Sequence, residues 1–452
     1  MDKNDPYLLT EDKILEPPEG YFNSLKFLGP GVVMSAAIVG SGELIATTIL
    51  GATSGFVFLW LIILSCVIKV TAQLEFGKRA IQTGETTMAS FNGLPGPRLG
   101  KASWPIWLYV ITSIIRLVLG SGILGATALV LKQALPFLPL EAWLVITAIG
   151  VALIGYRGYY QIIEKSMISM TLIFTFVTLF CVVSLQFTPY SFSYGDLLSG
   201  LSFTIPLETV FVAAGVFGIT GIGTELVIYN YWLIEKGYAA YTGPRNDTED
   251  WIRRAKGWTR VMYYDSFTSL AIYTTVTIAF YILGASILNQ MGIVPAKDEL
   301  VATLSHIYTE TLGPWAQWLF LPGAFAVLLS SLVTSIAAGG RVYSDALSRI
   351  GLLDFRNMKQ RWRWIGSMAW IIPGIWIVLF LHFRAPGFMI LVAGVAALVI
   401  LLIIAIAALN FRYSESDSRL TPSRFYDLCL WVSCLTISWI GIYGLIRIIA
   451  YR

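Results

Sequence analysis

Eleven apolar stretches, each long enough to cross a bilayer, set the limits on what this chain can become. A helix needs about 20 apolar residues to span about 30 Å of hydrocarbon. Such stretches run over residues 28–53, 55–77, 105–131, 137–155, 166–187, 207–234, 261–289, 315–340, 364–383, 387–410 and 426–450. Inside lipid every backbone polar group must be paired within the protein, so the reading is an all-α polytopic membrane protein. Of 452 residues, 56% are apolar and 13% charged, against about 25% charged in soluble domains. That leaves too little charge to clothe a water-soluble surface. The 15 Trp and 22 Tyr suit membrane–water interfaces.

What the composition lacks also narrows the function. Cys66, Cys181, Cys429 and Cys434 fall within apolar runs and read as small core residues rather than a disulfide framework. Two histidines, His306 and His382, are too few for a haem pair or a histidine-built metal cluster, and both sit at loop edges. The net charge of +4 is modest, and nothing points to a nucleic-acid partner. No Ser–His, Cys–His, His-Glu-x-x-His or Walker pattern occurs, so neither an enzyme nor an ATP-driven pump is expected. No resident cofactor is implied.

Charge placement orients the bundle. Lys78, Arg79, Arg98 and Lys101 follow span 2, and Arg245, Arg253, Arg254, Lys256 and Arg260 follow span 6. Arg341, Arg349, Arg356, Lys359, Arg361 and Arg363 lie around the loop after span 8, and Arg412, Arg419 and Arg424 follow span 10. All these loops share one side. The positive-inside rule then expects an N terminus in the cytoplasm and a C terminus outside, in a bacterial-type plasma membrane. Residues 1–24, polar and acidic through Glu19, read as a cytoplasmic segment without a cleavable signal. Residues 25–190 and 205–410 form two five-helix repeats, and 411–452 a cytoplasmic linker with the eleventh helix. Asn246 to Lys256 reads as a short surface helix.

Two spans are interrupted near their middles in matching fashion. Span 1 contains Gly40-Ser41-Gly42-Glu43-Leu44-Ile45, and span 6 contains Gly221-Ile222-Gly223-Thr224-Glu225-Leu226-Val227-Ile228. Glu43 and Glu225 are 182 residues and five spans apart. An odd number of spans per repeat inverts the second half, which is the layout of inverted-repeat secondary transporters with substrate at paired broken helices. Freed carbonyls there can bind a cation, and half-helix N-termini an anion. Each glycine pair also fits the alternative of close helix packing. Repetition beside an intramembrane carboxylate favours a binding role.

Further residues carry a resemblance. Gly29-Pro30-Gly31 precedes the first break, and Gly51-Ala52-Thr53-Ser54-Gly55 follows it. Gln73, Thr83-Gly84, Gly155-Tyr156-Arg157, Asp265, Ser330-Ser331-Leu332-Val333-Thr334, Ala337-Ala338-Gly339-Gly340 and Pro373 follow in order. Together they resemble the NRAMP family of proton-coupled divalent-metal transporters over roughly residues 25–410. That resemblance implies a LeuT-type 5+5 inverted repeat with broken helices 1 and 6. Its functional motifs do not carry over. Where the family has Asp-Pro-Gly-Asn, this chain has Gly40, Ser41, Gly42 and Glu43; where it has Met-Pro-His, this chain has Ile222, Gly223 and Thr224. Span 3 carries Arg116 in place of the family's acidic proton-path residues.

A carboxylate at mid-bilayer costs about 2.5–3.5 kcal/mol on insertion scales and is a functional candidate by default. The expected substrate site is Gly40, Ser41, Gly42, Glu43, Gly221, Ile222, Gly223, Thr224 and Glu225. Glu43 and Glu225 are the metal candidates, and Arg116 is their partner for coupling or charge pairing. As plain N-terminal caps, the two glutamates would need no ligand. Arg116 would equally bind a substrate carboxylate. Lys69 reads as a snorkelling residue, Asp265 as a cap or inner-gate partner, Arg157 with Glu164 as an ion pair, and Arg341 as a gate or topology residue. Without a thioether the donors are hard oxygens, suiting Mg²⁺, Ca²⁺ or Mn²⁺. The leading expectation is a transporter of such a cation. A carrier of a small organic solute (an amino acid or other carboxylate) through Gly-Ser-Gly, and a transport-inactive sensor or scaffold, are the alternatives.

Overall fold

The computed structural model describes residues 5–157, 160–220, 223–246, 248–414 and 417–450, with side chains at most of these positions. Among them the chain is almost wholly helical, with one two-stranded hairpin pairing Arg98–Leu99 with Ala102–Ser103. Among the described residues, eight helices are long and apolar enough to cross a membrane unaided. The other expected spans are the 18-residue helix Leu140–Arg157 and the two interrupted ones. Interruption is why neither of those two is one continuous α-helix.

Local chemistry sets the boundaries. Pro30 and Pro105 occupy first-turn positions, where a missing N–H costs nothing. Gly84, Gly237 and Gly351 end their helices at φ 67°, 103° and 98°, a left-handed stop that residues with a Cβ resist. Where charged residues flank an apolar run, helices continue past the hydrocarbon. The seventh span is a single helix, Glu249–Leu283, so the separate surface helix expected at Asn246 to Lys256 is instead its first turns. The eighth, Gln317–Ile350, carries Arg341 well inside its length rather than at its end. Between them Leu300–Leu312 forms a helix unmarked by an apolar run, burying Leu300, Leu304, Ile307 and Tyr308.

Interrupted spans 1 and 6 lie inside the bundle, and glycine brings their neighbours close. A Cβ on Gly218 of span 6 would lie 1.9 Å from the Gly394 carbonyl of span 10 (Pro386–Ser414), and one on Gly394 would lie 2.1 Å from the Gly215 carbonyl. Span 3 (Trp104–Ala134) meets span 9 (Met358–Phe383) in the same way, with Gly120 against Trp376 and Gly125 against Phe380. The packing role of small residues therefore holds at these positions.

Gly394→Ala should destabilise the protein by about 1–3 kcal/mol, because backbone cannot yield as a side chain does. Gly150→Ala, where a Cβ would meet nothing within 4 Å, should be neutral or stabilising by up to about 1 kcal/mol. Thermal unfolding of the two variants side by side checks the contrast.

Candidate functional site

Span 1 departs from the α-helix without losing its bonds. Pro30–Ile38 is α-helical, Val39–Thr47 is π-helical, and Thr48–Ser54 is α-helical again. Thr47 Oγ1 donates to the Gly42 carbonyl (3.1 Å) and Thr48 Oγ1 to the Glu43 carbonyl (3.4 Å), each five residues back. The helix is widened rather than unwound, a local form common at functional sites. Gly40 is there for packing, since a Cβ would sit 1.9 Å from Ser331 Oγ of span 8. Gly42 faces the other break, with the Ile219 carbonyl 3.6 Å from where its Cβ would be. Ser41 belongs to the π-helical stretch, but its side chain lies outside the described residues. Glu43 is likewise inside a continuous helix rather than at the start of a half-helix.

Span 6 is broken outright. Its first half, Val210–Ile219, ends at Thr220 with extended backbone, and its second half begins at Glu225 and ends at Lys236. Gly221 and Ile222 lie outside the described residues, as do the side chains of Arg157 and Glu164 and with them the ion pair expected there. A Cβ on Gly223 would come within 2.8 Å of the Gly218 carbonyl. Thr224 is buried at the N-cap position and makes no side-chain cap bond. Glu225 stands in the first turn, where the helix dipole favours its charge.

The two glutamates face different neighbours. Glu43 is 0% exposed and accepts from Thr277 Oγ1 of span 7 at 2.8 Å. Cys66 and Tyr273 lie within electrostatic range of it. Glu225 is half-buried, and its Oε2 has no hydrogen-bond partner among the described residues. It lines a cavity of about 80 Å³ with Arg116, Tyr109, Ser331, Thr334, Tyr343 and Trp376. Arg116 therefore reaches the central region beside Glu225. Lys69 does not snorkel. It is 1% exposed, lies within range of both glutamates, and donates to the Phe217 and Thr220 carbonyls at 2.6 Å each. No group of three or more His, Cys, Asp and Glu side chains placed to hold a metal occurs among the described residues.

Toward the face carrying the N-terminal segment, a second layer of polar residues brackets a cavity of about 460 Å³. Gly29, Pro30, Trp232, Glu235 and Arg341 are among its lining. Asp265, expected at the start of span 7, lies inside Glu249–Leu283 and caps span 1 instead, accepting from Gly29 N (3.0 Å) and Gly31 N (2.7 Å). A Cβ on Gly31 would lie 2.8 Å from that carboxylate, which accounts for the Gly-Pro-Gly spelling. Arg341 pairs with Glu235, and Tyr7 of the N-terminal segment donates to the same carboxylate at 2.6 Å. Asp345 accepts from Thr86, Tyr231 and Arg349. Sequence reasoning passed over Tyr7, Glu235, Thr277 and Asp345. Only Asp345 carried a signal, as a carboxylate within a helical run beside two arginines.

Asp265→Ala leaves both backbone donors unpaired and should cost about 2–4 kcal/mol of stability. Asp265→Asn, keeping one acceptor, should lose roughly half that. Denaturant or thermal unfolding reads both.

Comparison with known proteins follows the same lines. The family model described as natural resistance-associated macrophage protein-like matches residues 31–447. The divalent metal cation transporter MntH of Acidiphilium cryptum is 24% identical over 381 residues, which is 83% of this chain and 77% of that protein. Among solved structures, a mutant of the Eremococcus coleocola manganese transporter superposes with a TM-score of 0.64 at 14% identity, covering 97% of this chain and 90% of that one. The transporter MhsT in complex with L-phenylalanine gives a TM-score of 0.54 at 17% identity, covering 96% and 99%.

Proposed function

The chain belongs to the natural resistance-associated macrophage protein-like (Nramp) family, and from that membership we propose that it is a secondary-active transporter working by alternating access, with a divalent cation as cargo. The cation is a hard one, Mg²⁺, Ca²⁺ or Mn²⁺. The observation that carries this choice is the donor set at the two interruptions: Glu43, Glu225, Thr224 and main-chain carbonyls, with no thioether or imidazole. Oxygen donors of this kind suit hard cations. With no larger cluster of ligating side chains among the described residues, the ion keeps part of its water, as Mg²⁺ in particular favours. The N-terminal face is cytoplasmic on this reading, and the cavity beneath Glu235 and Arg341 is its route inward.

Charge balance sets the terms of binding. Lys69 and Arg116 supply two positive charges near the two carboxylates, so an arriving cation must compete with the protein's own. That same balance favours a second reading. Arg116 and Glu225 line one cavity, an arrangement that suits the opposite charges of a small zwitterion such as an amino acid.

Uptake of Mg²⁺, Ca²⁺ and Mn²⁺ into proteoliposomes decides between the two. The cation reading expects saturable uptake, weakened about tenfold or more by Glu225→Gln (about 1.4 kcal/mol). Metal-indifferent uptake of a zwitterionic amino acid, lost in Arg116→Ala, would replace it with the second reading. Absence of any flux from folded protein would leave the sensor or scaffold.

A further inference from the structure

We propose that the ammonium of Lys69 is a resident cation: it fills a monovalent-cation site formed by main-chain carbonyls at the broken end of span 6, and a dissolved alkali cation takes its place when that charge is removed. The argument begins with the helix end. The last four carbonyls of a helix have no partner within it, and they carry the negative end of the helix dipole. Here the end lies inside the bundle: Phe217, Thr220 and Thr224 are all buried. Unpaired carbonyls in such a place cost several kcal/mol each. Something cationic or hydrogen-bonding has to stand there.

Lys69 is what stands there. It projects from the middle of Leu59–Thr83, and its Nζ donates to two of those carbonyls, Phe217 O and Thr220 O, at 2.6 Å each. These are short, charge-assisted bonds. The same ammonium lies 4.7 Å from the centre of the Phe217 ring, within the range of a cation–π contact. Both of its hydrogen bonds run to backbone rather than to a carboxylate, so it is not simply half of an ion pair. An ammonium taken out of water loses several kcal/mol of hydration, which this oxygen shell must offset.

The shell has the makings of an ion site in its own right. The Thr220 hydroxyl is buried and has no hydrogen-bond partner among the described residues, so a further oxygen stands unused on a residue whose carbonyl already holds Nζ. Glu43 of span 1 and Glu225 of span 6 lie within electrostatic range of Nζ, as does Cys66 on span 2 itself. Two carbonyls and nearby negative charge supply part of an alkali cation's oxygen shell, and the unused Thr220 hydroxyl and water entering the space left by the lysine side chain would complete it. Wild-type protein supplies that cation covalently and needs no dissolved one. The inference does not depend on which cargo the transporter carries.

The test compares the full-length wild type with Lys69→Met and Lys69→Arg, each purified in NaCl, KCl and choline chloride at equal ionic strength. Melting temperature and binding of radioactive Na⁺ are the readouts. Wild type and Lys69→Arg should melt alike in all three salts and bind no Na⁺. Lys69→Met should melt several degrees lower in choline, recover saturably in Na⁺ or K⁺, and bind about one ion per chain. Recovery of Lys69→Met only from cation-containing buffers would be the same result. A Lys69→Met protein indifferent to alkali cations, or one that cannot be recovered in any of the salts, overturns the proposal. So does a Lys69→Arg protein that gains the same Na⁺ response, since packing rather than charge would then be at issue.

Discussion

Interrupting a helix inside hydrocarbon is tolerable only where each freed backbone group finds a partner, and the organisation of this protein follows from that requirement. The two interruptions meet it differently. Span 1 keeps its ladder by lengthening each step to five residues, with threonine hydroxyls tracking the longer register. Span 6 lets the ladder go, and a lysine from span 2 takes up two of the released carbonyls. The pairing of Asp265 with the amides that open span 1 solves the same problem at the other end of that helix.

The central charges are consequences of these solutions as much as of function. A buried lysine calls for negative charge within reach, and Glu43 and Glu225 provide it. Glu225 in turn has Arg116 in its cavity. The result is a centre whose formal charges offset one another. On the proposed reading, cargo enters by rearranging partners rather than by filling a vacant charge, and its affinity depends on how readily Arg116 and Lys69 give way.

Much of the fold could be read from the chain because bilayer thickness converts composition directly into helix number and placement. A span boundary was legible where proline punctuates it, as at Pro105. It was not where charged residues continue an apolar helix, as at Glu249 and at Arg341. For the site, the breaks and their glutamates stood out because charge and glycine are rare in apolar runs. Lys69 was equally visible, but its role was not. Whether a long side chain reaches toward water or inward to a carbonyl depends on what lies across from it, and sequence spacing carries no such information. Thr277, half a chain away from Glu43, was hidden for the same reason.

The contact of Gly215 and Gly218 with Gly394 bears on how the molecule moves. Helices that meet through side chains can shift against each other as rotamers change, but here main chain rests directly on main chain. Nothing soft lies between them to absorb a tilt. The first half of span 6 and span 10 must then turn as one rigid plate. In a carrier that alternates its open face, as proposed above, the extended backbone at Thr220, whose carbonyl Lys69 holds, is where that plate can turn against the second half of span 6.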